Sequence, residues 1–492
     1  MVKAQSVLST IIHYLLFTMN QKLVVLGDVK TALGTALMEK FEQTSSLTDA
    51  SKGDAHVDKS QILFIGSGID RSEIDSSDQV TAALRNGTPI IINEPSSGLL
   101  LSLSGLGVEG AEAALIVKGK RNAYFVKTYM GEGEQAETIT NSTLSKSEPP
   151  QGEEEAHSEN DVESETVPDD TDNTTLVMKD LSDLSSIDEK LNQMRALKTA
   201  DSSLPENRHW STFWEMDWLN KVLSDPSGEK KKTQTARFRF TTIFDLLAAN
   251  TPVMKKVFNS IVGGTGFEPV KSDESMIRND NKHRGWAQSV TYIEFSPQDN
   301  KFGNIQDYVP VNSASDVSIT AGYSWNIGFT AGGSGKGPEG SVSFSYSQDS
   351  SHTISTKDFE TLAKSVGNAG MRFYHNTHVV GGDTIVDPLG FGFDGSSGFT
   401  KEMEKMFYYH FPDGDRVRSW PSLSRELLKP DSSCIWYADS NQNGVGKIDI
   451  KGFQGLNYFY SKFPKNHCSH TSQSKRATVS IDFSKANYDD PS

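Results

Sequence analysis

Residues 317–346 read VSITAGYSWNIGFTAGGSGKGPEGSVSFSY. On the outgoing arm Val317, Ile319, Ala321, Tyr323, Trp325, Ile327, Phe329 and Ala331 take every odd position. Between them stand Ser318, Thr320, Gly322, Ser324, Asn326, Gly328 and Thr330, all small and uncharged. After a Gly-rich stretch the return arm alternates again, Val342, Phe344 and Tyr346 against Ser341, Ser343, Ser345 and Ser347. Side chains of a strand point to opposite faces with period 2, so each arm has one apolar face and one small polar face. A strand that meets lipid on one side and a water-filled lumen on the other is built this way. A half-buried strand of a soluble sandwich shows the same alternation. Two details favour the membrane. A solvent-facing surface normally carries Lys, Glu or Arg, yet residues 317–335 hold no charge, and Lys336 and Glu339 sit in the turn. The outgoing run covers 15 residues, whereas a membrane strand needs about 9–11.

At 492 residues the chain exceeds one ordinary core, and about two or three domains are expected. Residues 131–180 hold 15 Asp and Glu against two Lys, so most of the formal charge of −16 sits in one segment. The acidity therefore says little about partners of the folded parts. No basic tail reads as a nucleic-acid footprint, and Lys230, Lys231 and Lys232 form only a short solvated run. No stretch reaches the roughly 18 apolar residues of a transmembrane helix. Residues 1–19 have the layout of a short signal peptide, but His13 interrupts the apolar core and no clear cleavage site follows. A docked first helix, or a true start at Met19, explains them equally. Cys434 and Cys468 lie in one region, where a disulfide and chance proximity both stay open.

The chain reads as a multidomain α+β protein. Residues 20–130 suggest a small α/β domain with a mostly parallel sheet, within a first unit bounded at 1–130. Short apolar strands (23–26, 62–65, 89–92, 114–117 and 123–126) alternate there with helical patterns at 31–43 and 78–85. Gly66, Ser67 and Gly68 lack the third glycine of a nucleotide fingerprint. Residues 131–203 have the composition of a disordered acidic linker, interrupted by a short helix near 183–197. Residues 204–492 turn aromatic and Gly-rich, with short alternating strands that signal an all-β sandwich.

Catalytic residues do not stand out, so no enzyme and no cofactor is expected. His375 with His378, and His467 with His470, would bind metal only with a third ligand, and i and i+3 face opposite sides of a strand. Residues 439–444 imitate the start of a calcium loop, but position twelve is Ile450, and a hairpin turn fits better. The rings of Tyr374, Phe391, Phe393, Tyr408, Tyr409 and Trp420, with Arg425 nearby, suit a rim that touches lipid headgroups or a glycan. They suit a sandwich core as well.

The order of pieces after residue 285 resembles the leukocidin and haemolysin family of β-barrel pore-forming toxins, and within it the Vibrio-type cytolysins. The strand pair 289–295 and 304–310 comes first, then the Gly/Ser-rich hairpin with Gly337-Pro338-Glu339-Gly340 in its turn. Trp420-Pro421-Ser422-Leu423-Ser424 through Pro430-Asp431 looks like the family's rim-to-sandwich segment, and Ser474 through Phe483 like its last strand. The resemblance covers about 205–484. It implies a secreted, soluble monomer that binds a target membrane lipid or surface glycan and assembles into a homo-oligomeric ring. Each subunit then inserts one hairpin into a shared barrel. The apolar row named above would face lipid, and Ser318, Thr320, Ser324, Asn326, Thr330, Ser343 and Ser345 would line the pore. The Vibrio-type relatives carry a pro-domain removed by an activating protease, which offers a role for residues 20–130. Arg195, Lys198 and Arg208 are the candidate cut sites. The lectin domains that follow in such relatives have no counterpart before Ser492, which weighs against glycan targeting by that route. The alternative is a non-toxic lectin-like or adhesin-like binding module in which residues 317–346 stay in a permanent sandwich.

Overall fold

Runs of apolar residues without alternation mark strands covered on both faces. The computed structural model describes residues 22–46, 61–67, 69, 71–130, 173–198, 206–224, 233–249, 255–262, 266–271, 283–309, 319–320, 326–330, 343–347, 353–354, 359–367, 369–377, 432–462 and 465–488. Lys22–Leu26 (β1), Glu42–Ser46 (β2), Gln61–Ile65 (β3) and Ile90–Asn93 (β4) form a parallel set. Helices α1 (Ala32–Lys40), α2 (Arg71–Asp75), α3 (Asp78–Asn86) and α4 (Ser97–Ser104) connect them or follow them. Thr31, Ser77 and Ser96 cap the three longer helices by accepting a backbone N–H, and Gly87 and Gly105 end two of them in the left-handed conformation. Strand β5 (Leu106–Val108) leads to β6 (Ala111–Lys118) and β7 (Ala123–Met130), which extend the sheet from β4 in antiparallel sense.

Within the expected linker, residues 173–198 form two helices, α5 (Asn173–Leu181) and α6 (Leu184–Lys198). Their residues Val177, Leu181, Ile187 and Leu191 share an apolar cluster with Leu23, Phe64 and Phe125 on one face of the N-terminal sheet. Burial of that face is what orders them, although the segment's composition is polar.

Twelve strands then lead through the sandwich: β8 (His209–Ser224), β9 (Thr233–Ala249), β10 (Lys255–Val262), β11 (Gly266–Lys271), β12 (His283–Pro297), β13 (Asn304–Val309), β14 (Ile319–Thr320), β15 (Asn326–Thr330), β16 (Ser343–Ser347), β17 (Thr353–Ile354), β18 (Phe359–Val366) and β19 (Gly370–Thr377). Three more, β20 (Ser432–Asp439), β21 (Val445–Lys462) and β22 (Lys465–Asp482), complete the described strands. One 12-stranded sheet runs β13-β20-β10-β9-β8-β7-β6-β4-β3-β1-β2, with β11 paired to β9. A second, 6-stranded sheet runs β18-β19-β12-β21-β22-β5.

The sheet therefore does not part where the composition changes: β7 pairs with β8 in parallel, Phe125 opposite Phe213 and Lys127 opposite Glu215. The core is continuous too, from Leu63 and Ile90 through Trp210 and Trp214 to Phe258, Trp436, Ile450 and Val479. Residues 439–444 are a correction to the hairpin expectation. They carry the chain from β20 in the large sheet to β21 in the second one, and Asn443 Oδ1 accepts from the buried Lys256 Nζ at 2.8 Å.

Gly303, between a short 3-10 turn and β13, has φ +74°, and a Cβ there would run into the Tyr437 carbonyl oxygen. Both the backbone conformation and the space exclude a side chain. Gly303→Ala is expected to lower the unfolding free energy by about 2–4 kcal/mol. An unchanged midpoint in a urea titration would contradict this account of the turn.

Candidate functional site

In the hairpin segment β14 pairs with β17, Ile319 opposite Ile354 and Thr320 opposite Thr353. Strand β15 pairs with β16 in antiparallel sense, Asn326 opposite Ser347 through Thr330 opposite Ser343. The two ladders form separate two-stranded sheets. A step of seven residues inward on each arm from Ile319 and Ile354 arrives at Asn326 and Ser347.

Residues directly opposed in an antiparallel pair belong to the same face. The register thus collects Ile327, Phe329, Phe344 and Tyr346 in one row, and separately sets Ile319 opposite Ile354. It collects Asn326, Gly328, Thr330, Ser343, Ser345 and Ser347 in the other, and separately sets Thr320 opposite Thr353. A shift of one residue would have mixed the two rows. Thr353 and Ile354 lie within a strand expected at 341–356, beyond the alternation quoted for 317–346, which Gln348 through His352 interrupt. Val317, Ser318, Ala321, Tyr323, Ser324, Trp325, Ala331 and Val342 lie outside the described residues, as do residues 1–21 and 131–172.

Of the expected rim residues, Tyr374 is described, and its placement departs from a rim. It is 9% exposed on β19, in a cluster with Tyr292 and Phe453. Its ring centroid is 5.4 Å from that of Tyr292, which stacks on Phe453 at 4.9 Å. Arg372 donates to the Tyr374 hydroxyl at 2.8 Å and through Nε to Glu294 at 2.5 Å, and its guanidinium lies 4.8 Å from the Tyr292 ring centroid. Burial pushes the Tyr292 hydroxyl up to about 12. Adjacent strands of one sheet face bring these rings together, so Tyr374 acts here as a packing residue. Phe391, Phe393, Tyr408, Tyr409, Trp420 and Arg425 lie outside the described residues.

Beside this cluster the second sheet carries a polar trough of about 470 Å³, lined by Glu294, Ser296, Gln298, Asp449, Lys451, Ser474, Lys475 and Arg476. Asp449 accepts from Arg476 and, at 2.7 Å, from the Thr478 hydroxyl. Such a lining suits a polar ligand. Among the described residues no three His, Cys, Asp or Glu side chains converge as metal ligands.

The three candidate cut sites fall in ordered elements. Arg195 and Lys198 belong to α6. Arg208 closes a 3-10 turn, donates to the Tyr488 carbonyl at 3.3 Å and lies 5.7 Å from that ring's centroid. A protease needs an accessible, extended segment, so these positions are poorer targets than their place in an expected linker implied. Cys434 is buried on β20 of the large sheet, and Cys468 belongs to β22 of the second. Among the described residues no helix is long and apolar enough to cross a membrane, which says nothing of strands.

No family model matches the chain, and no curated protein does. Solved structures do overlap with it. One described as a pore forming protein is 11% identical over 55% of this chain and 98% of its own, with a TM-score of 0.33. Clostridium perfringens delta-toxin is 11% identical over 55% of this chain and 91% of its own, at 0.31. The Clostridium perfringens NetB toxin in its membrane inserted form is 12% identical over 57% and 98%, at 0.27. All three overlap this largely β-sheet chain at low identity and low TM-score.

Proposed function

We propose that the protein is a pore-forming cytolysin that binds a target membrane, assembles into a ring and inserts the 319–354 hairpin of each subunit into a shared β-barrel. The observation that carries this reading is the register of the hairpin. It sets Ile327, Phe329, Phe344 and Tyr346 in one row and Asn326, Gly328, Thr330, Ser343, Ser345 and Ser347 in the other, with Ile319 opposite Ile354 and Thr320 opposite Thr353. A lone hairpin in lipid leaves the outer N–H and C=O groups of both arms unsatisfied, and only a closed barrel pairs them all. Insertion and oligomerisation are therefore one event. Thr320, Asn326, Thr330, Ser343 and Ser345 would line the lumen, with Ser347 and Thr353. Phe391, Phe393, Tyr408, Tyr409, Trp420 and Arg425 would meet lipid headgroups or a glycan, on the strength of their residue types. Secretion follows from the same reading.

The polar trough on the second sheet favours one other reading, a binding module for a polar ligand such as a glycan, with the sandwich permanent. Dye release from liposomes, followed by electron microscopy of the membranes, separates the two. Release with ring-shaped particles is expected. Intact liposomes across neutral, anionic and sterol-containing mixtures, for both whole and linker-cut protein, would leave the binding module in its place.

A further inference from the structure

We infer that residues 22–130 remain docked on the sandwich when the acidic segment is cut, so that proteolysis there yields a two-chain protein and not a released N-terminal domain. This rests on the fold and is independent of membrane activity.

The N-terminal region closes an edge of each sheet. In the large sheet β7 pairs with β8 over seven residues, Ala123 with Ser211 through Tyr129 with Asp217. In the second sheet β5 pairs with β22, Leu106 with Ile481 through Val108 with Val479, and Asp482 N–H donates to the Gly105 carbonyl at 3.1 Å. Removal of residues 22–130 would leave both strand edges with unpaired backbone groups.

Two fully buried indoles of the sandwich also find their acceptors across this seam. Trp210 Nε1 donates to the Ser104 carbonyl at 2.7 Å, and Trp214 Nε1 to the Thr128 hydroxyl at 3.1 Å. A buried donor that loses its acceptor carries the whole desolvation penalty.

The seam is stapled by charge as well. Lys127, with its side chain 3% exposed, lies 2.7 Å from Asp180 and 3.8 Å from Glu215, while Lys190 meets Glu215 at 2.5 Å. The Tyr129 hydroxyl donates to Asp180 at 2.7 Å. Lys127 and Tyr129 come from β7, Asp180 and Lys190 from the helix pair, and Glu215 from β8. A cut anywhere in residues 131–172 leaves the helix pair on the C-terminal chain, still packed on the N-terminal sheet. The C-terminal chain then grips that sheet along β7 and across one face. Lys146 is the only Lys or Arg in residues 131–172, which makes it the trypsin-type site there. With the domain retained, the β8 edge stays closed to a second copy of the chain.

The test uses the full chain with a site-specific protease recognition sequence placed between Lys146 and Ser147. After complete cutting, judged on a denaturing gel, the two chains are expected to co-elute in native size-exclusion chromatography and to part only in denaturant. Separate elution in native buffer would overturn the inference. The same cut in a Glu215→Ala background, which leaves Lys127 and Lys190 without that carboxylate, should weaken association at least about 100-fold. Equal association of the two cut proteins would remove the ionic cluster from the grip.

Discussion

Ile327→Lys is expected to abolish dye release, while the neighbouring Asn326→Lys leaves release in place and shifts the pore toward anions. The two positions are adjacent in sequence and fall in opposite rows of the hairpin register. In a barrel, Ile327 meets hydrocarbon, where a lysine costs about 2–4 kcal/mol near the midplane. Every subunit of a ring carries that cost, so release should fall by at least about 100-fold per dose. Asn326 meets water, where a lysine keeps its hydration and adds a ring of positive charge to the lumen. Single-channel reversal potentials in a salt gradient read the second effect. If both lysines silence release, or neither does, the two rows do not face lipid and lumen.

Trp436→Ala should cost about 3–5 kcal/mol of unfolding free energy, a large share of the about 5–15 kcal/mol of a typical domain. Trp436 is 0% exposed on β20. It touches the rings of Phe258, Phe295 and Phe302 at centroid distances of 5.6, 6.2 and 6.3 Å. Its Nε1 donates to the Ala369 carbonyl at 2.8 Å. Truncation opens a cavity where the two sheets meet and strips that carbonyl of its donor. Trp436→Phe keeps most of the apolar volume and loses the hydrogen bond, so about 1–2 kcal/mol is expected for it. A urea titration that ranks the two variants equally would place the cost elsewhere than in the cavity.

Much of the fold was legible in the chain because it follows from local chemistry. The short apolar runs at 23–26 and 62–65 are strands of a covered sheet, and the caps at Thr31 and Ser77 begin helices near where the periodicity places them. The apolar stretch 434–439 lies in β20, and the expected last strand, ending near 484, forms only the end of β22, which already begins at Lys465. Other elements escaped. Trp210, Phe213 and Trp214 are all buried within the long strand β8, because both of its faces are covered, which their spacing alone does not reveal. Lys127, in the run Ala123–Met130, is the one charged residue of a buried strand. Its partners Asp180 and Glu215 lie far along the chain, and no local pattern pairs them.

Alternation, capping and charge density are properties of a few adjacent residues, set by backbone geometry and solvation. The chain alone therefore determined the alternating pattern at 317–346, the acidic segment and the change from α/β to β texture. Which strand lies beside which depends on contacts between residues distant in sequence. Only the tertiary structure decided that β7 joins β8, that β5 joins β22, and that the helix pair within the expected linker clasps the seam. It also decided the hairpin register, since a one-residue slip leaves each arm's own pattern unchanged and separates the rows only when the arms are paired.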